Sequence, residues 1–276
     1  MNHAARRVWH TLEPIHAVTY FAPECRQAAE DLGLKGFWMG YVAFRSAPLG
    51  PVGPAPLVAL FANFAPSLLA RAVPDAWGYA TPSSCLSARV ESSAGVLRAA
   101  GVDAAACEAA CALLAPVVAG LDLTGRPLAA ANAALPHDDP DPVRRLWQLC
   151  TTLREHRGDG HVAALVAAGL SGLEAHLLQI PLTGIDAERL RVARGWSEAE
   201  WSSAADRLTA RAIDGPARLA RAELATDELA WDAGLASLGS DGVEELERLL
   251  APSLAAVHGA GWITYPNPMG LPSPRG

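Results

Sequence analysis

One sequence offset recurs along this chain and limits the folds that it can adopt. Three short blocks each occur twice, in the same order, with starts 136 residues apart. They are GLKG and GLSG at Gly33 and Gly169, LLAP at Leu113 and Leu249, and LP at Leu135 and Leu271. Chance matching in an Ala- and Leu-rich chain is the alternative. A single spacing shared by three blocks favours two homologous halves, which we expect to pack about a pseudo-twofold axis.

Both halves have the pattern of a mainly α fold. Each contains a polar loop, an Ala-rich helix, the GLxG turn and a second apolar helix. The predicted helices are 24–32, 37–45, 54–60, 66–73, 86–100 and 104–121 in the first half, and 143–154, 161–168, 173–182, 219–235 and 243–259 in the second. A turn beginning at His137 separates them, so the predicted domains are residues 1–136 and 137–276.

Residues 186–211 have the pattern of a helix-turn-helix. The first helix ends before Gly195, and Ser197 with Glu200 three residues later predicts a capping box for the second helix. Helical sequence resumes soon after Asp214-Gly215-Pro216. The β-hairpin wing of a winged-helix domain is therefore predicted to be short or missing.

Each half is predicted to close on an extended segment that contains proline. These segments are Arg126–Pro136 and Trp262–Pro272. Because proline interrupts helices, we expect both segments to cross the surface or to pack on the other half.

Charge and composition restrict the partners of the chain. It has 22 Lys and Arg residues against 29 Asp and Glu residues, which gives a net charge of −7. Such a chain repels phosphate backbones and anionic lipid, so general nucleic-acid binding is disfavoured. With 51% hydrophobic and 18% charged residues, the chain is too apolar to be disordered.

The sequence predicts a cytoplasmic protein without a membrane span. The start of the chain lacks the uninterrupted apolar stretch of a signal peptide. The five cysteines have no disulfide-framework spacing, which fits a reducing compartment. The most apolar segment, Ala104–Leu121, carries Glu108 and Pro116 and predicts a buried helix.

The densest polar cluster is Arg154–His161, written REHRGDGH. Its two glycines predict a tight loop between two helices, and at the 136-residue offset it corresponds to a second predicted loop, His16–Glu24. A pseudo-twofold axis would bring both loops to the junction of the halves. Pro23-Glu24 and Asp159-Gly160 suit helix starts, where free N–H groups favour an anion. Ordinary caps and turns are the alternative.

These residues predict a small-molecule site at the junction, with general acid–base chemistry. His156 or His161 would carry the proton, because imidazole titrates near neutrality. Glu24 or Glu155 would orient that histidine, and Arg154 or Arg157 would hold an anionic group of the substrate. The remaining candidate substrate-binding residues are His16, Tyr20 and Asp159 in the two loops, and Trp38 and Tyr41 on an aromatic stripe that is also typical of a core.

Other chemistries have weaker support. His156, His161 and Asp159, with Glu24 or His16, do not have the spacing of a helix-presented metal site, so no metal is predicted. Cys107 and Cys111 lie four residues apart in an Ala-rich helix and are typical of a core. The chain contains no GxSxG, GxGxxG, P-loop or HExxH motif, and it indicates no particular cofactor.

Four stretches resemble a known family over nearly the whole chain. They are GLKGFWMGYVAFRSAPLGPV from Gly33, LREHRGDGHVAALVAAGL from Leu153, RGWSEAEW from Arg194 and NPMGLP from Asn267. They are similar to an actinobacterial family described as helix-turn-helix. The resemblance implies a helical, winged-helix-like fold and names no activity.

The RGWSEAEW stretch also resembles the recognition region of MarR-type repressors, in which ligand-responsive dimers bind DNA. This resemblance implies an alternative function as a transcriptional regulator. The predicted recognition helix, however, carries Glu198, Glu200 and Asp206 beside Arg207 and Arg211, and no basic wing follows it. DNA is therefore the less favoured partner, and a small-molecule ligand or substrate the favoured one.

Overall fold

The computed structural model describes residues 3–210, 214–271 and 274, and within these residues it is helical with no strand. The helices in chain order are α1 (His3–Phe21), α2 (Pro23–Asp31), α3 (Gly36–Ser46), α4 (Pro54–Leu60), α5 (Pro66–Ala72), α6 (Ala76–Tyr79), α7 (Pro82–Ala99), α8 (Ala104–Ala119), α9 (Pro127–Ala133), α10 (Pro142–Ala167), α11 (Gly172–Thr183), α12 (Ala187–Ala193), α13 (Glu198–Ala210), α14 (Gly215–Ala230), α15 (Ala233–Ala236) and α16 (Gly239–Gly259). A 3₁₀ helix, Ala47–Leu49, follows α3. The predicted mainly α class is confirmed.

Helix α10 is the central element. Its N-cap is Asp141, whose carboxylate accepts hydrogen bonds from the N–H groups of Val143 and Arg144, and Pro142 occupies the first turn. Buried residues recur along its whole length, and it packs against α1, α7, α8, α9 and α14. It ends at Ala167, and Gly169, two residues later, has a φ of +68° that suits glycine.

The predicted loop at Arg154–His161 is wrong, because these residues lie inside α10. Glycine in a helix interior costs only about 0.5–1 kcal/mol relative to alanine. Burial of Leu153 and Leu165 on either side of the segment, and packing on α14, outweigh that cost. Asp159 is therefore not an N-cap of its own helix, and α10 offers no helix N-terminus to an anion at this point.

Two other local predictions are also wrong. The segment His16–Phe21 belongs to α1. The chain breaks only at Ala22, and α2 begins at Pro23, one residue before the predicted helix start. The segment predicted to be extended after Arg126 contains α9, because proline is tolerated in the first turn of a helix and Pro127 stands there. Of the second extended segment, Pro272 lies outside the described residues.

Three clusters of buried side chains form the core. The largest contains residues from α1, α7, α8, α10 and α16, and so draws on both sides of residue 137. A second cluster lies entirely within residues 29–128, and a third within residues 164–222. Both predicted halves thus contribute to the largest core, and each half also has a smaller core of its own.

The predicted helix-turn-helix segment forms α12 and α13, although its last predicted residue, Arg211, lies outside the described residues. The capping box is present: the Oγ of Ser197 accepts from the N–H of Glu200 at 3.2 Å, and the Oε2 of Glu200 accepts from the N–H of Ser197 at 2.9 Å. Gly195 has a φ of +76° and packs so tightly on Leu68 that a Cβ would lie 2.8 Å from it.

Among the described residues, no single helix is both long and apolar enough to cross a membrane. By length and composition alone, α10 and α11 together meet that test, but they are bent by 99° relative to each other.

Candidate functional site

A cavity of about 320 Å³ lies between α1, α3, α10, α11 and α14. The turn between α4 and α5 and the segment Pro268–Gly270 complete its wall, so residues from both sides of position 137 line it. Gly172, the first residue of α11, allows that helix to approach the turn after α4, since a Cβ there would lie 2.1 Å from the carbonyl oxygen of Ala62. The cavity volume is at the lower end of the range for small-molecule sites.

Five arginines line this cavity in a protein of net negative charge: Arg6, Arg45, Arg154, Arg157 and Arg194. Aromatic rings hold four of their guanidinium groups. Arg45 lies 4.2 Å from the ring centre of Phe61, and Arg194 lies 4.5 Å from that of Phe64. Arg157 and Arg6 lie 5.0 and 5.6 Å from Trp9. Cation–π stacking of this kind attracts the guanidinium to the ring face and so limits its orientation.

Carboxylates behind the cavity wall pair with four of the five arginines. Glu155 receives Arg45 through two contacts of 2.9 and 3.0 Å, and the Nη1 of Arg154 lies 2.8 Å from its Oε1. Burial alone would raise the pKa of Glu155, but the charges of Arg154 and Arg45 outweigh it and bring the pKa to about 2. Asp227, which is fully buried, lies 2.8 Å from the Nη1 of Arg157. Arg6 also contacts Asp227, at 2.9 Å.

Arg194 differs from these arginines because no carboxylate of the described residues lies within ion-pairing distance of it. It is only 6% exposed, its Nη2 donates to the carbonyl oxygen of Pro268, and its Nε has no hydrogen-bond partner there. Burial lowers the pKa of Arg194 to about 10. The guanidinium of this cavity residue therefore remains a buried cation at neutral pH, and its Nε donor is unpaired among the described residues.

The ring of His161 is held in one tautomer by Thr226. The hydroxyl of Thr226 donates to the carbonyl oxygen of Ala222 at 2.7 Å, so it can only accept from the Nδ1 of His161 at 3.0 Å. The Nε2 of the neutral ring is then an unprotonated acceptor. Burial lowers the pKa of His161, against the opposing charge of Glu223, whose carboxylate lies 4.0 Å from Nδ1.

His176 supplies a second imidazole to the same cavity. It is 2% exposed, and its Nε2 has no hydrogen-bond partner among the described residues. Burial, assisted by the charge of Arg194, lowers the pKa of His176 to about 3, although a hydrogen bond to the backbone of Asn63 acts in the opposite direction. The ring is therefore neutral over the physiological pH range.

The structure brings part of the predicted site to this cavity. Arg154, Arg157, His161 and Tyr41 line it, and Glu155 lies directly behind the arginines. Arg154, Arg157 and His161 share one face of α10, because they are spaced i, i+3 and i+7. The cavity is thus formed by one face of the continuous helix α10 and the elements opposite it, and not by two loops as predicted.

Two predicted residues on α10 face away from the cavity. The Nε2 of His156 lies 2.9 Å from the Oδ2 of Asp232 on the other side of the helix. The Oδ2 of Asp159 accepts from the N–H of Ala129 at 2.9 Å, so this carboxylate caps the N-terminus of α9. Burial raises the pKa of Asp159 to about 6. Both residues hold neighbouring elements in place.

The remaining predicted residues also lie outside the cavity lining. His16 hydrogen-bonds to Thr151 at 2.9 Å and to Tyr20 at 3.2 Å, in a cleft of about 10 Å³ behind the ion pair of Glu155. Trp38 packs edge-on against Phe64, with 5.6 Å between the ring centres. Glu24 is exposed in the first turn of α2.

Several cavity residues were not predicted from the sequence, above all Arg45, Arg194 and His176. The spacing of Tyr41 and Arg45, four residues apart on α3, was a usable signal, since such residues share a helix face. His176 had no such signal. Its neighbours in the chain are apolar, and only the fold places it beside Arg194.

Among the described residues, no group of three or more His, Cys, Asp or Glu side chains is arranged to hold a metal ion. The five cysteines are buried free thiols. The chemistry visible at the site is therefore that of guanidinium donors, carboxylates and neutral imidazoles.

The described residues define a helical protein with an arginine-lined cavity. The chain belongs to a helix-turn-helix family, whose sequence profile matches residues 5–264. No curated protein and no solved structure matches the chain. Family membership confirms the predicted resemblance to a helix-turn-helix family, whereas the actinobacterial source and the likeness to MarR-type repressors stay predictions.

Proposed function

We propose that this protein binds an anionic small molecule in the cavity and exchanges a proton with it. The observation that carries the proposal is the state of Arg194, a buried cation on the cavity wall without a carboxylate partner among the described residues. A buried unpaired charge is unfavourable unless a counter-charge or several hydrogen bonds compensate it. An anionic ligand would supply both.

A comparison with Arg89 shows why the position of Arg194 matters. Arg89 is also buried and unpaired, at 3% exposure, but its two Nη groups donate to oxygens of Phe44, Asn132 and Gln148 in the packed interior. Those neutral oxygens occupy the space around its guanidinium. Arg194 instead borders open volume, where a carboxylate or phosphate would form charge-assisted hydrogen bonds.

His161 is the proton carrier of the proposal. Its unprotonated Nε2 would take a proton from an O–H or C–H of the bound ligand, and the resulting imidazolium would later return that proton. Glu223 would stabilise the positive charge formed on the ring, since its carboxylate is 4.0 Å from Nδ1. Thr226 keeps the ring in the tautomer that this transfer requires.

Calorimetric titration of the whole chain with benzoate and with benzamide tests the anion requirement. The two probes share ring and size but differ in charge, so binding of benzoate and not of benzamide supports the proposal. We expect Arg194→Gln to weaken benzoate binding at least tenfold. Arg71→Gln is the matched control, because Arg71 is exposed on α5.

A wild-type protein that binds neither benzoate, acetate nor inorganic phosphate would contradict the proposal. So would equal benzoate affinity in the wild type and in Arg194→Gln. Circular dichroism of both arginine variants checks that they fold.

DNA binding is the second candidate, and membership of a helix-turn-helix family favours it. The paired helices α12 and α13 have the required order. The exposed side of α13, however, carries Glu198, Glu200 and Asp206, and Arg207 lies 3.5 Å from Glu174. Fluorescence anisotropy at 50 mM salt, with duplex DNA from upstream of its own gene, tests this candidate. Salt-dependent binding would support it, and no binding would remove it.

We also propose that residues 1–136 and 137–276 are duplicated halves related by a pseudo-twofold axis. Two observations support this. The turns after α2 and α10 have the same hydrogen bond, from the N–H of Leu34 to Ala29 and from that of Leu170 to Leu165. Both pairs of residues are 136 positions apart. The LLAP prolines, Pro116 and Pro252, also lie inside corresponding helices, α8 and α16.

A further inference from the structure

We infer that the cavity selects a hydroxylated carboxylic acid, with its carboxylate on Arg194 and a hydroxyl group donating to the Nε2 of His176. This inference rests on the proposed binding of an anion and adds the second functional group of the ligand. It assigns a specificity-determining role to His176, which takes no part in the proton transfer proposed for His161.

The first argument is the hydrogen-bonding state of His176. His176 lines the cavity, and its Nε2 is buried and has no partner among the described residues. A buried polar atom left without a partner is unfavourable, because it has lost its hydrogen bonds to water. The ring stays neutral and hydrogen-bonds to the backbone of Asn63. Because Nε2 has no partner, we assign the N–H of that bond to Nδ1, which leaves Nε2 as an acceptor that a ligand donor would satisfy.

The second argument is that both imidazoles present acceptors while the arginines present donors. The Nε2 of His161 is unprotonated because Nδ1 donates to Thr226. Arg194 and His176 line the same cavity of about 320 Å³, so one small ligand can reach both side chains. A complementary ligand therefore has an anionic group for the guanidinium and a separate hydrogen-bond donor for the imidazole.

The third argument separates a hydroxyl group from nitrogen donors. An ammonium group offers a guanidinium no acceptor, and its charge would be repelled by the unpaired cation of Arg194. A neutral amide or aniline N–H would donate to His176 but would offer the neighbouring guanidinium no acceptor on the same atom. A hydroxyl oxygen donates to the imidazole and also accepts from an arginine, which suits both kinds of group in this wall.

Titration with matched acid pairs tests the inference on the whole chain. The pairs are benzoate against 3- and 4-hydroxybenzoate, and propanoate against lactate. We expect at least one hydroxylated member to bind tenfold or more tightly than its parent acid. His176→Phe should remove that preference and leave the affinity for the parent acid within threefold. The control is His258→Phe, because His258 lies on α16 outside the cavity lining.

A measurement on the wild-type protein tests the inference without requiring that a variant folds. In ¹⁵N-detected spectra of the imidazoles, the Nε2 signal of His176 should be that of an unprotonated neutral ring. It should shift on addition of the preferred hydroxy acid and not on addition of its parent.

The outcomes separate this inference from the proposed function. Equal affinity for both members of every pair would overturn the inference and leave anion binding in place. A hydroxyl preference that survives in His176→Phe would also overturn it. If no acid binds at all, the proposed function itself fails.

Discussion

The guanidinium of Arg45 and the carboxylate of Glu155 meet at two points, at 2.9 and 3.0 Å, although 110 residues separate them in the chain. The pair joins α3 to the middle of α10 and is almost completely buried. Because Arg154 contacts the same carboxylate, Glu155 holds two of the arginines that line the cavity. This residue is therefore a positioning group for the cavity wall.

Glu155→Gln should destabilise the protein strongly at pH 7. Removing one partner of a buried ion pair costs about 3–5 kcal/mol, because the remaining charge is left uncompensated. Urea unfolding followed by circular dichroism measures the loss. The matched control is Glu30→Gln, in an exposed pair with Arg26, which should change the free energy of unfolding by less than about 1 kcal/mol. A similar loss in both variants would contradict the role of Glu155.

The contribution of Glu155 to the stability of the protein should decrease as the pH falls. Its pKa in the folded protein is about 2, below the ordinary value of 4.5. A carboxyl whose folded pKa is depressed stabilises the protein above the unfolded pKa, and this contribution is lost as the pH falls from 4.5 towards 2. The stability difference between wild type and Glu155→Gln should therefore shrink over that interval. A constant difference between pH 7 and pH 3 would show that the ion pair is not its source.

Replacing either of two glycines in α10 by alanine should change the stability of the protein, in opposite directions at the two positions. At Gly158 a Cβ would meet nothing closer than 3.6 Å, so Gly158→Ala should stabilise the helix by about 0.5–1 kcal/mol. At Gly160 a Cβ would lie 2.8 Å from the Nη1 of Arg126, which donates to the carbonyl oxygen of His156. Gly160→Ala should cost about 1–3 kcal/mol through this overpacking. Destabilisation by Gly158→Ala would indicate a turn in place of the helix.

Thr226→Val should allow the ring of His161 to adopt both neutral tautomers. The change removes the acceptor of the Nδ1 proton, so the ¹⁵N signals of the ring should change from an Nδ1–H form to a mixture of both neutral forms. The affinity for the ligand should change less than the rate of proton exchange between His161 and the ligand. Thr209→Val, at an exposed position on α13, is the control. An unchanged Nδ1–H spectrum in Thr226→Val would show that another group fixes the ring.

Asn267→Ala should loosen the segment that closes the cavity. The Oδ1 of Asn267 accepts from the N–H groups of Met269 and Leu271 at 3.1 and 3.2 Å, and the side chain is buried. Its loss leaves these donors unsatisfied and should cost about 1–3 kcal/mol. Amide hydrogen exchange at Met269 and Leu271 should accelerate, whereas exposed Gln27→Ala should leave it unchanged. Unaltered exchange in Asn267→Ala would mean that other contacts hold the segment.

The success and failure of the sequence predictions follow from the range of the forces involved. The capping box of Ser197 and Glu200 was predictable because its partners are three residues apart. The loop predicted at Gly158 and Gly160 was wrong because local glycine propensity is weak beside the packing of the surrounding helix. The same error placed His156 and His161 together, although five helical residues turn them to different sides of α10.

The sequence by itself determined the helical class, the helix-turn-helix segment and the positions of most helix ends, since these depend on periodicity, caps and glycine over a few residues. It also singled out Arg154, Arg157 and His161. Only the tertiary structure decided which side chains share the cavity, because Arg45, His176 and Arg194 lie far apart in the chain. Burial of apolar helix faces brings them together, and the same burial leaves Arg194 without a counter-charge in the described structure and keeps His176 in its neutral form.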